Sequence, residues 1–565
     1  MKKGIYIDLL EKVLTAYSDE RIREYTEKVK KNGLEDHGYP RLAINIGILI
    51  AHGRKTEYKD MFLEMMDLCC DEIPTARLRN GGNVGAEFSV LEMVRGIIEI
   101  EQSGVFEKSV TDSWREKLAK INPYETYTMI APVPPVRLHN WALFVAVSEQ
   151  LRKYAGVGDE SEFIDNQVAS QMFSFDENGM YRDPPDDPIT YDIVPRLQFA
   201  VMLYYGYNGK YLKDLEENLL KSADITLKMQ SVTGEIPFCG RSNQFLHNET
   251  VYAALCEFYA VFFKKRGDIK KAGMFKRAAS IAIKSIIPWL NENTIHHIKN
   301  YYPVDSMYGC EFYAYFDKYM VTAGSMLYSA YTMTDDSIEE VLCPSENENY
   351  ICETSKYFHK VFCKFGEYFI EIETNADEHH NATGLGRVHK KGVPSALCMS
   401  APCPRHPAAY TVDIDTDSTL SICGGVKING EFIYSCDGKT EYRMVGKKVC
   451  ENSIAVSFDC VVDKKVMYTE NYTVSPEGVL VTVEGNGDLE ILFPVFDFDG
   501  ETKTNTEIKE NNVNVIYKGY KCCYLGSGSI ENKNCMCANR NGHYQKMAVK
   551  GKNKVSIKIE LKSAE

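Results

Sequence analysis

Arg137-Leu138-His139-Asn140-Trp141 leads into a run where Leu143, Phe144, Val147 and Leu151 recur at helical intervals. A cluster of hydrogen-bonding side chains thus stands where a loop enters an apolar helix. The pattern recurs at roughly 50-residue spacing through the first ~335 residues. Thr190-Tyr191-Asp192, with Arg196, precedes Phe199, Met202, Leu203 and Tyr207. Gly240-Arg241-Ser242-Asn243-Gln244 is followed by His247-Asn248-Glu249, and Glu311-Phe312-Tyr313-Ala314-Tyr315 by a last helix. Helical hairpins at this interval close into a ring, and loops on one rim of a ring converge on one cleft. Four clusters of His, Asn, Arg, Tyr and Glu around one mouth suit a polar, sugar-like ligand.

The helical period holds from Ile5 to about Met333. It predicts further helices over Asp60–Cys70, Glu87–Gln102, Tyr211–Met229, Gln244–Lys264, Lys270–Leu290 and Phe312–Tyr331. Asn80-Gly81-Gly82-Asn83, Pro132–Pro135, Pro184-Pro185 and Pro303 separate them. After about Asp336 the period changes. Tyr368–Ile372, Thr419–Ile422, Glu431–Ser435, Ser453–Val462, Val479–Val483, Leu489–Val495 and Val513–Tyr517 alternate or run apolar between turn residues. Pro494 predicts an edge strand or a bulge. Many short strands without intervening helices predict an antiparallel sandwich. The chain is therefore multidomain, α then β, with a ring of helical hairpins over residues 1–335 and a β-sandwich over 336–565.

Several functions are excluded or disfavoured by composition. The net charge of −14 argues against a nucleic-acid partner. The apolar run Leu42–Ala51 is too short to span a bilayer, so no membrane is expected. Met1-Lys2-Lys3-Gly4 leads directly into an amphipathic helix without a signal-peptide core, and 18 cysteines then suit a reducing cytoplasm. Oligomeric state is open, a homo-oligomer included. No phosphate loop, dinucleotide fingerprint, nucleophile elbow or zinc-protease helix is present, and no cofactor is expected.

Each cluster has a structural reading beside a chemical one. Asn140 can cap its helix, which leaves Arg137 and His139 without a purpose; Trp141 can stack on a sugar or fill the core. Asp186 and Asp187 read as turn formers, and Thr190 or Asp192 as caps. Tyr191 lies within helical reach of Arg196, and a nearby cation would lower a phenol's pKa into a usable range. Asn243 pairs with His247, and Gln244 with Asn248, at a spacing of four that puts each pair on one helix face. From Arg241 to Glu249 the density of polar side chains exceeds what capping requires, as if two helical turns projected into a funnel. In the β half, Asp377-Glu378-His379-His380 and Arg387-Val388-His389 read as a loop leaning over the cleft. Their spacing, like that of Cys522-Cys523 with Cys535 and Cys537, matches no standard metal site.

A helical-hairpin half joined to an antiparallel sandwich resembles the heparinase II/III-like and alginate-lyase-like polysaccharide lyases. The resemblance implies an incomplete α/α toroid with the cleft beside the sandwich. His139-Asn140 resembles that family's Asn/His pair, in inverted order; Tyr191 falls where its tyrosine would, and His247 and His380 match its further histidines. It implies β-elimination on an acidic oligosaccharide without a metal or other cofactor. Tyr191, His247, His139 and Asn140 would act catalytically. Arg137, Trp141, Arg196, Arg241, Asn243, Gln244, Asn248, Glu249, Tyr313, Tyr315, His379 and His380 would hold substrate. The rival is a glycoside hydrolase on the same toroid, using Asp192 or Asp187 with Glu249. A non-catalytic carbohydrate-binding protein is the third alternative.

Overall fold

The computed structural model describes residues 1–78, 85–130, 133–405, 407, 409–415 and 418–564. The breaks expected at Asn80–Asn83 and at Pro132 lie outside them. Six helices form the inner layer: Gly38–Ala51, Ala86–Ser103, Asn140–Tyr154, Thr190–Tyr204, Leu246–Lys265 and Phe316–Met333. Each packs on the next, and the last returns to the first. Their sequences explain the placement. Gly38–Ala51 is buried from Gly38 through Ile50, and a helix apolar on all sides has to lie inside. Outer helices such as Leu212–Lys228 are amphipathic and bury one stripe, including Leu215, Leu219 and Ala223. At the junction of the ring, a Cβ on Gly324 would stand 2.5 Å from Asn45 Nδ2, so glycine allows the two helices to approach. Asn45 Nδ2 donates to the Val321 carbonyl there, at 3.0 Å.

Two helices start later than expected. The Asn248 carboxamide oxygen accepts the Phe245 amide at 2.8 Å, which turns the chain out of the helix before Leu246. Asn243 and Gln244 therefore precede the helix and share no face of it with His247 and Asn248. The final helix starts at Phe316, and Tyr313 and Tyr315 belong to the loop before it.

Strands begin at Tyr350. A four-stranded antiparallel sheet runs in chain order through Tyr350–Glu353, Lys360–Phe365, Tyr368–Glu373 and Gly384–Lys390. An eleven-stranded sheet is built on Gly478–Phe498 and Gly542–Ser563, paired from Val479↔Ile559 to Phe498↔His543. The separate strands expected at Val479–Val483 and Leu489–Val495 are one, because pairing resumes after an irregularity between Glu484 and Asp488. Pro494 lies beyond Leu492, where pairing with Cys423–Ile428 stops, so its missing N–H costs no bond on that flank. Thr419–Ile422 makes only isolated bridges, Cys403↔Leu420 and Leu385↔Ile422, because here the chain passes from one sheet to the other.

The smaller sheet is the middle layer. Phe362 and Phe369 join the helical core, while Val361, Cys363, Ile370 and Ile372 face the sandwich core. Its helix-facing side also carries buried charge. Lys360 sits 3.1 Å from both Glu371 and Glu373, Arg387 lies 3.2 Å from Glu371, and Arg387 donates to the Ile236 carbonyl at 2.7 Å. These pairs tie the sheet to the loop ahead of the third polar cluster. Lys360→Met leaves buried Glu373 without its cation and Glu371 with Arg387 alone, and should destabilise the protein by about 3–5 kcal/mol in denaturant unfolding. Lys447→Met, at an exposed pair with Glu353, should leave the midpoint unchanged.

Candidate active site

Ser242 organises the mouth of the ring. Its backbone N–H donates to Glu311 Oε1 at 2.6 Å, and Glu311 is held by Arg540 at 2.6 and 3.0 Å. Arg540 lies in the turn between strands Ile530–Asn539 and Gly542–Ser563, so the sandwich fixes this loop of the toroid. The Ser242 hydroxyl lies 3.0 Å from the Tyr191 hydroxyl and 3.2 Å from those of Tyr313 and Tyr319. The His247 ring packs edge-on against Tyr319, with centroids 4.9 Å apart. Four elements thus bring three phenols and an imidazole around one serine.

Burial sets their protonation. It pushes the Tyr191 phenol well above its ordinary value, with Tyr319 adding to the rise and the Ser242 bond and Arg241 opposing it. Burial pushes His247 down to about 3, and the positive charge of Arg41 adds to the fall. Near neutral pH the phenol holds its proton and the imidazole is uncharged. His247 Nδ1 is buried without a hydrogen-bond partner.

A second group adjoins the first. Asp183 Oδ1 accepts the Asn140 side-chain amide at 2.8 Å and the Asn140 backbone N–H at 3.2 Å. Arg241 donates to Asp183 Oδ2 at 2.8 Å, and its guanidinium lies 5.2 Å from the Tyr191 ring centroid. His139 is partly buried beside this group, and its Nδ1 also lacks a partner. Across the mouth, His380 Nδ1 bonds Asp377 and lies 3.9 Å from Asp186, while its Nε2 is buried and unpartnered. Asp186, Asp377 and His380 each offer one ligand atom within 4.8 Å of the others, and could together hold a cation. Arg137 and His379 are exposed on the rim.

The backbone is strained here. His139, Asp186, Asp187, Ser242 and Gln244 are non-glycine residues with φ between 38° and 74°. Such conformations cost about 1–3 kcal/mol each and gather where function holds them in place.

Other expected site residues are bound into the fold. Arg196 forms a buried ion pair with Asp192 and donates to Thr226, so the cation over Tyr191 is Arg241. The phenol's pKa also moves opposite to the expected direction, because burial outweighs that cation. Glu249 is buried 2.8 Å from Lys299 and Asn248 is committed to the loop's own hydrogen bonds; His247 is buried too, in the wall of the mouth against Tyr319, so these turns do not project into a funnel. Asn248 donates to the Ser242 carbonyl at 2.9 Å, Asn243 to the Pro237 carbonyl at 3.0 Å, and Gln244 to Asn243 at 2.9 Å. Trp141 packs edge-on against Phe88. Tyr315 stands just before its helix, with the Lys318 ammonium 5.7 Å from its ring centroid. Asp187 lies 3.2 Å from Arg182. The four cysteines singled out as a possible metal set do not assemble: Cys522 lies beside Cys398, and Cys535 beside Cys537.

Reading the residues missed Asp183, Tyr319 and Arg540. Tyr319 stands four residues after Tyr315, a spacing that could have marked it. Arg540, between Asn539 and Asn541 in an otherwise β-rich stretch, carried no such signal.

No protein-family model matches this chain, and no curated protein does. Its fold is similar to that of heparinase III, at a TM-score of 0.52 and 8% identity over 93% of this chain and 77% of the other. A heparan sulfate lyase HepC mutant from Pedobacter heparinus matches at a TM-score of 0.47 and 10% identity, over 93% and 76%. A glycosyl hydrolase family 88 protein from Bacteroides vulgatus matches at 0.39 and 11%, over 59% and 99%. The class is therefore one of architecture: a helical toroid followed by an antiparallel sandwich, as in heparinase III. The resemblance expected from the sequence holds at the level of fold.

The buried imidazoles give a pH dependence. His389, 2.8 Å from the Ser231 hydroxyl, is also pushed down to about 3 by burial. The folded state takes up fewer protons than the unfolded one below the ordinary value of 6.5. Stability is therefore complete above that pH and should fall as pH drops toward 3. Denaturant midpoints across this window should show the decline, and His389→Gln should flatten it.

Proposed function

We propose that the chain is a polysaccharide lyase that cleaves a uronic-acid-containing glycan by β-elimination. The observation that carries this reading is the shared neighbourhood of Tyr191 and His247, a phenol kept protonated and an imidazole kept neutral around Ser242 and Tyr319. Elimination requires one group of each kind. The substrate carboxylate binds at Asn140 and Arg241, whose donors already hold the Asp183 carboxylate, with Arg137 on the approach. Neutralising it stabilises the charge that develops as C5 loses its proton. His247 takes that proton, and the C5–H electron pair becomes the C4=C5 double bond. The C4–O4 bond breaks, and Tyr191 protonates the departing O4. His380, oriented by Asp377 with Nε2 unpartnered, is the alternative base. No redox step is involved.

Hydrolysis needs two carboxyl groups across the scissile bond. Asp192 and Glu249 are each neutralised by a buried cation, which disfavours them in that role. No helix among the described residues is long and apolar enough to cross a membrane. Eighteen free thiols suit a reducing compartment and action on imported oligosaccharides.

A lyase product carries a double bond conjugated to the carboxylate and absorbs in the ultraviolet. Absorbance should rise with acidic oligosaccharides, and Tyr191→Phe should lower kcat by about a thousandfold. Asp187→Asn should be tolerated. Loss of activity in Asp187→Asn alone, with no ultraviolet product, would favour hydrolysis.

A further inference from the structure

Phe312 is 89% exposed, the most exposed of the large apolar side chains among the described residues. A single apolar residue on a surface is ordinary, but the position of this one is not. It lies between Glu311, which holds Arg540 and the Ser242 amide, and Tyr313, whose hydroxyl is 3.2 Å from the Ser242 hydroxyl. The loop is anchored on both sides of Phe312, so the ring cannot fold away into the core. Its ring contact is a T-shaped one with Tyr313, at 5.3 Å and 84°, and at 89% exposure a face of the ring stays open to solvent. The other rings at this mouth, Tyr191, Tyr313 and Tyr319, are gathered around the Ser242 hydroxyl. Asn140, Arg241 and the exposed Arg137 suit a carboxylate, but nothing among them suits the apolar C–H face of a pyranose.

We propose that Phe312, supported by the edge of Tyr313, is a stacking platform for the pyranose that flanks the scissile bond. The sugar's C–H face would cover the phenyl face while its hydroxyls stay in water, and the anchored backbone would set the register of the glycan against Tyr191. The proposal rests on the lyase reading for the identity of its ligand. It adds a specificity-determining residue that takes no part in proton transfer.

The test uses the full-length chain in a Tyr191→Phe background, so that ligand is not consumed. Calorimetry follows size-defined heparan sulfate, hyaluronan and alginate oligosaccharides. Phe312→Ala should weaken the best ligand about fivefold, and Phe312→Tyr should restore it. In the active enzyme the loss should fall on KM rather than on kcat. Equal affinity of the Phe and Ala proteins would overturn the platform and leave elimination intact, provided that ultraviolet product still forms. A changed sedimentation coefficient for Phe312→Ala would overturn it too, by making the ring a contact between copies. Weakened binding without any ultraviolet product supports the platform and rejects the lyase. No binding by either protein rejects both.

Discussion

Arg540 and Glu311 meet in a buried bidentate pair, and the same carboxylate accepts the Ser242 amide. One residue is in a turn of the sandwich and the other in a loop of the toroid, so the docking of the two halves holds the mouth in shape. Arg540 also donates to the Gly309 carbonyl at 2.6 Å, which fixes the far side of the same loop. A buried pair gains little net energy over apolar packing, but losing one partner is costly. Its value here is positional. With Ser242 held at a left-handed φ of 54°, its hydroxyl stands between three phenols that lie on separate parts of the chain.

The chemistry then follows from desolvation more than from charge. Arg241 near a phenol would lower its pKa, yet burial dominates, and Tyr191 keeps its proton. Burial likewise keeps His247 neutral. A toroid rim covered by a sandwich in this way holds a protonated phenol and a neutral imidazole side by side near neutral pH. Of the carboxylates weighed for hydrolysis, Asp192 and Glu249 are committed to buried cations.

Much of this was legible in the sequence because it is local. The change of hydrophobic period near Asp336 marks the two halves, and clusters at helix entries mark the rim. Tyr191, Asn140, Arg241 and His247 stand at those entries, which is why the sequence singles them out. The assignments that moved share one cause. Asn248, Asn243, Gln244 and Glu249 have the side chains of a binding site, but the first three are used by the loop Gly240–Phe245 to hold its own strained backbone, and Glu249 is used by Lys299 and the Ile236 amide. Composition cannot separate the two uses. Arg540 was out of reach for a different reason: its partner lies 229 residues away, and a long-range ion pair leaves no periodic trace.

The most direct test of the central claim is the mass balance of the products formed from a defined uronate-containing oligosaccharide. Elimination inserts no water, so the fragment masses should sum to that of the parent, with one new end unsaturated. Fragments whose masses exceed the parent by one water would contradict the account and would require a different pair of catalytic groups.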